Sequence, residues 1–123
     1  MADKIWIGTD GAWATAGNWS PSGVPASSDD VYIVSGSDDI TGSDQSAVTL
    51  GRLVVGQQFT GSIGTNGTKL QINATNFDYS GTGSSTYIEG TFTTLTVQNT
   101  STEATALNLS GDSDTITTLR ILG

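Results

Sequence analysis

The chain has 123 residues and a formal charge of −8, from 12 acidic and 4 basic residues, with no Cys and no His. Lys4, Arg52, Lys69 and Arg120 cannot form a basic patch, so a phosphate backbone and an anionic membrane surface are both repelled. Without Cys or His there are no disulfides, no ordinary zinc sites and no Ser-His-Asp or Cys-His catalysis. The length fits one domain over 1–123. Thr occurs 20 times and Gly 16 times, while charged residues make up only 13 %. That mixture favours many short strands joined by tight turns over amphipathic helices, so the expected class is all-β.

Residues 1–34 read as an N-terminal cap segment. "IWI" at 5–7 and "VYIV" at 31–34 alternate as strands do. Between them lies a run of Ala, Gly, Ser and Pro that carries Trp13 and Trp19. A tryptophan ring buries on the order of 200 Å², and its N–H can reach a partner at a rim. Trp6, Trp13 and Trp19 are therefore expected to fold as a lid, with Ile5, Ile7, Val31 and Ile33 beneath. Pro21 and Pro25 stiffen the loop and lower the entropy lost on ordering it. The alternative use is a sugar-stacking platform, which requires Trp13 and Trp19 to be exposed. "MADKIWIG" holds no apolar run long enough for a signal peptide or membrane span. Taken as the true start, it places synthesis in a cytoplasm.

Residues 35–123 show a loose period. "VTL", "LQI", "YIE" and "LNL" place Val48, Leu50, Leu70, Ile72, Ile88, Leu107 and Leu109 in one series, spaced 22, 18 and 19 residues apart. "LVV", "FDY", "LTV" and "LRI" place Leu53/Val55, Phe77/Tyr79, Leu95/Val97 and Leu119/Ile121 in another, spaced 24, 18 and 24 apart. Alternation puts these on one face and Val54, Asp78, Thr96 and Arg120 on the other. Two short strands per repeat of this length fit a short parallel β-helix of about four coils. A β-sandwich or jelly roll gives similar spacing, and "TNGTK" at 65–69 offers the one clean Asn-Gly hairpin signal. The chain reaches "TTLRILG" with no matching lid. Either a second chain covers that coil, or the sequence is cut from a longer β-helix.

The arrangement of Trp6, Trp13, Asn18-Trp19-Ser20, Pro25, Val31 and Ile33 resembles the opening segment of β-helical surface modules of bacteria and bacteriophages, including autotransporter-type adhesins. The missing signal peptide and translocator bring it nearer to the decoration, or cement, proteins and head fibres of tailed bacteriophages. That resemblance implies a structural virion protein, standing on the capsid as a homotrimer in contact with the major capsid protein. It implies no enzyme and no cofactor. Trp6, Trp13, Trp19, Leu119, Ile121 and Leu122 are the cap or interface candidates. The second reading is a carbohydrate-binding or adhesin-type module.

The acids form pairs, Asp29/Asp30, Asp38/Asp39 and Asp112/Asp114. A glycosidase needs two carboxylates about 5–10 Å apart across a cleft. "SGSDD" at 35–39 and "SGDSD" at 110–114 group hard oxygen ligands that suit calcium, without the spacing of an EF-hand. Set among Ser and Gly, such acids more simply satisfy turn N–H groups. Asn18, Asn66, Asn73, Asn99 and Asn108 each begin an N-x-S/T triplet, and local hydrogen bonding near turns is the expected use.

Overall fold

Strands with Thr, Val and Ile at alternate positions, broken by Gly and Asn, make up most of the described residues. The computed structural model describes residues 2–8, 10–80, 85–98, 107–109 and 114–122. The strands are β1 (Asp3–Trp6), β2 (Trp19–Ser20), β3 (Asp30–Gly36), β4 (Asp44–Phe59), β5 (Leu70–Tyr79), β6 (Thr86–Glu89), β7 (Thr91–Gln98), β8 (Leu107–Asn108) and β9 (Thr115–Leu122). A 3-10 turn, Ala16–Asn18, leads into β2. All strand pairings are parallel except β1 with β2. Parallel pairing of successive passes excludes the sandwich and jelly roll, which are antiparallel. The fold is a β-solenoid of about four turns.

Side chains at matching positions of successive coils stack into inward ladders. Val31, Leu53, Phe77, Leu95 and Leu119 form one ladder, and Ile33, Val55, Tyr79, Val97 and Ile121 a second. Their outward neighbours Tyr32, Val54, Asp78, Thr96 and Arg120 line up as alternation requires. Leu50, Ala74, Phe92 and Ile116 make a third ladder. Two residues, not one, separate Leu50 from Leu53, yet both are fully buried. A flat strand would put residues three apart on opposite faces, so the wall turns a corner there. The same step recurs from Ala74 to Phe77 and from Phe92 to Leu95. At this corner Phe77 packs on Phe92, ring centroids 5.0 Å apart.

Polar side chains tie the coils together at the turns. The Asn73 amide donates to the carbonyls of Ser46 (2.9 Å) and Val48 (3.3 Å), and its Oδ1 accepts from the Thr91 N–H at 2.9 Å. One asparagine thus bridges three levels of the stack. Gly42 and Gly90 are needed where backbones touch, since a Cβ would lie 2.0 Å from the Thr68 carbonyl oxygen and 1.7 Å from that of Ile72. On the outside Arg52 pairs with Asp78 at 3.3 Å. Both are well exposed, so the pair contributes at most about 1 kcal/mol.

Several expectations are corrected. Leu50 does not share a ladder with Leu70; it aligns with Ala74, while Leu70 aligns with Ile88 and Gln45 with Ile72. "VTL" and "LVV" belong to one long strand, β4, and "LQI" and "FDY" to another, β5. The stack begins before residue 35, because Val31 and Ile33 on β3 already pair with Leu53 and Val55. The Asn66-Gly67 turn closes through reciprocal backbone bonds between Thr65 and Thr68, 2.9 and 3.2 Å, but joins no antiparallel strands.

Candidate functional site

The two ends of the solenoid are the chemically distinct regions, and they differ from each other. At the N-terminal end β1 lies parallel to β3, and β2 folds back antiparallel to β1 with Trp6 opposite Trp19. Trp6, Trp13 and Trp19 are 2 %, 1 % and 1 % exposed. The Trp19 ring meets Trp6 at 5.2 Å and Trp13 at 4.7 Å, both edge-on, the arrangement the ring quadrupoles favour. Its Nε1 donates to the Trp13 carbonyl at 2.8 Å. The rings therefore close the end as a plug and present no open face for a sugar to stack on. The Trp13 Nε1 is buried without a partner among the described residues.

Ile5 and Ile7 do not lie beneath this plug. They are 42 % and 55 % exposed, and the buried positions of β1 are Lys4 and Trp6. The larger ring takes the inward parity, and the Lys4 stem follows it. Its Nζ donates to the carbonyls of Pro21 (3.0 Å) and Ser22 (3.2 Å), which anchors the loop after β2. Asn18, also buried, donates from Nδ2 to Asp10 Oδ1 and to the Ala12 carbonyl. That bond from Asn18 and the Ala12 N–H hold the Asp10 carboxyl below its ordinary pKa. Asp29 accepts from the N–H groups of Ala26 and Ala2, each at 2.9 Å. The Ala26 bond foremost, then Ala2 and the Lys4 charge, depress its pKa as well. Sequence reasoning assigned Lys4 and Asp10 no place in the cap, because their partners lie in carbonyls and turns that only the folded loop defines, whereas Asn18 makes hydrogen bonds near a turn as its triplet led one to expect.

The other end has no such plug among the described residues. Leu119, Ile121 and Leu122 on β9 are 54 %, 73 % and 42 % exposed, although Leu119 and Ile121 occupy inward rungs above Leu95 and Val97. Beside them Tyr79, Leu107, Leu109 and Ile116 border an apolar hollow of ≈ 310 Å³. β9 pairs with β7 alone, which leaves its second edge without a strand among the described residues. Burial raises the Tyr79 phenol above its ordinary pKa, opposed by a hydrogen bond with Thr86.

One acid of each pair serves the backbone, Asp29 as described above and Asp39 and Asp114 between coils. Asp39 Oδ1 accepts from the Ser62 N–H at 2.8 Å and Asp114 Oδ1 from the Gly90 N–H at 3.0 Å, each joining adjacent coils. Asp44 accepts from the hydroxyl and N–H of Ser46, and that hydroxyl foremost lowers its pKa. Among the described residues no group of three or more acids is placed to hold a metal ion. Asp112 and most of the 110–114 run, like Asn99, lie outside the described residues. Of the other triplet asparagines, Asn18 is buried, Asn66 is exposed in its turn, and Asn73 and Asn108 are half-buried. No helix among the described residues is long and apolar enough to cross a membrane. Comparison with protein-family models, curated proteins and solved structures finds no match.

Proposed function

We propose that this chain is a structural subunit that assembles through its open coil and decorates or cements a bacteriophage head. The observation that carries the assembly reading is the asymmetry of the stack, sealed by three tryptophans at one end and exposing Leu119, Ile121 and Leu122 at the other. Full burial of each such side chain contributes about 1.5–3 kcal/mol. Covering three that are half exposed adds roughly 3–5 kcal/mol per chain before association costs. The edge of β9 that pairs with no strand among the described residues offers backbone groups in the same place. Identical subunits usually close into rings, and a homotrimer matches the three-fold capsid positions that the resemblance implies. The setting on a phage head, in contact with a major capsid protein, rests on the resemblance carried by Trp6, Trp13, Asn18-Trp19-Ser20, Pro25, Val31 and Ile33 alone. Structural work in place of catalysis is supported by acids committed to backbone N–H groups.

Sedimentation of the wild-type chain and of an Ile121→Ser, Leu119→Ser variant tests the assembly. The expected result is a wild-type trimer and a folded monomeric variant. Co-sedimentation with purified phage heads tests the setting. A stable wild-type monomer that ignores capsids would sink both parts.

A further inference from the structure

The lateral face carries a hollow that neither end explains, in which hydroxyl, amide and carboxylate groups are set into a largely apolar lining. Ile40, Ile63 and Thr86 stack inward through parallel bridges. Their chain neighbours Asp39 and Thr41, Ser62 and Gly64, and Ser85 and Tyr87 therefore stand in two outward columns over three coils. Gly64 supplies no side chain to the second column, and the Asn66-Gly67 turn rises beside it. These residues line a hollow of ≈ 540 Å³. That volume lies inside the range of roughly 300–1,000 Å³ typical of small-molecule sites. A second hollow of ≈ 340 Å³ adjoins it across Thr68, on the far side of the same turn.

The lining selects a class of ligand. Thr41, Ser62 and Ser85 contribute hydroxyls, which both donate and accept, and Asn66 an amide with two donors and two acceptor sites. The side chains of Thr41, Ser62, Asn66 and Tyr87 make no hydrogen bond to another described residue. Asp39 keeps Oδ2 available while its Oδ1 holds the Ser62 N–H. Tyr87, half-buried, offers a ring against which an apolar C–H face can pack. No cation lines the larger hollow, Lys69 in the second is faced there by Asp44 and Glu89, and the chain carries −8 overall, so an anionic ligand is repelled. We infer that this groove binds a neutral saccharide, with Tyr87 as the stacking ring and Asn66, Asp39 and the hydroxyls as hydrogen-bonding partners. Two adjoining hollows leave room for more than one sugar unit.

The test is an amide chemical-shift titration of the whole chain with maltohexaose, cellohexaose and chitohexaose, and with an oligogalacturonate as the anionic control. At least one neutral hexasaccharide is expected to shift Thr41, Ser62, Asn66 and Tyr87, while the anionic chain leaves them in place. Tyr87→Ala and Asn66→Ala should each weaken binding about tenfold while circular dichroism shows both variants folded. Tyr87→Phe, which keeps the ring, should retain most of the affinity. Absence of shifts with all three neutral probes overturns the inference, as do shifts confined to other residues or equal binding of the anionic control. The outcome is independent of the last coil, so a monomeric chain in sedimentation leaves it untouched.

Discussion

Replacing Trp19 by Ala removes the centre of the N-terminal plug. The ring is 1 % exposed and touches both other tryptophans at 5.2 and 4.7 Å. Truncation of a buried tryptophan costs about 3–5 kcal/mol, cavity included. The Trp13 carbonyl also loses its 2.8 Å donor, and leaving it buried and unpaired adds about 1–3 kcal/mol where water cannot enter. A domain of this size has of the order of 5–15 kcal/mol of stability in total. The expected loss of about 4–8 kcal/mol is thus a large part of the whole. Equilibrium denaturation in urea, followed by far-ultraviolet circular dichroism, measures it. Trp19→Phe retains most of the ring and should lose only about 1–3 kcal/mol, chiefly the hydrogen bond. A loss below about 1 kcal/mol for Trp19→Ala would refute the plug, because no truncation of a packed buried ring is that mild.

The three buried rings predict blue-shifted tryptophan emission that iodide does not quench; red-shifted, quenched emission would contradict their burial. Gly90→Ala places a methyl 1.7 Å from the Ile72 carbonyl oxygen and should cost about 1–3 kcal/mol or more. Gly17→Ala meets nothing within 4 Å and should change the melting temperature little, which makes the contrast the informative readout. The lowered carboxyls of Asp10, Asp29 and Asp44 set the acid limb of stability. A depressed folded pKa contributes stability above the unfolded value near 4 and loses it as pH falls through the folded value. Denaturation midpoints should therefore hold down to about pH 5 and drop below about pH 4, with a shallower drop in Asp29→Asn. Greater stability at about pH 3 than at pH 6 would reverse the sign and defeat the assignment.

Sequence alone carried the ladders where local periodicity is uninterrupted. The positions of Leu53, Phe77, Leu95 and Leu119, and of Val55, Tyr79, Val97 and Ile121, are legible because alternation and repeat length are properties of the chain itself. The burial of tryptophans in a small-residue loop was legible for the same reason, since so much apolar area must be covered somewhere. Tertiary structure decided what depends on parity and closure. Leu50 aligns with Ala74 instead of Leu70 because β4 and β5 each run past a corner, and the loops between coils differ in length. Lys4 and Trp6 turn inward at the expense of Ile5 and Ile7 because a one-residue choice of face is set by what fills the end of the stack, and carbonyls of Pro21 and Ser22 stand ready for the ammonium. The lateral groove is of the same kind. Asp39, Ser62 and Tyr87 lie far apart in sequence, and only the stacking of three coils at one strand spacing brings their side chains onto one face.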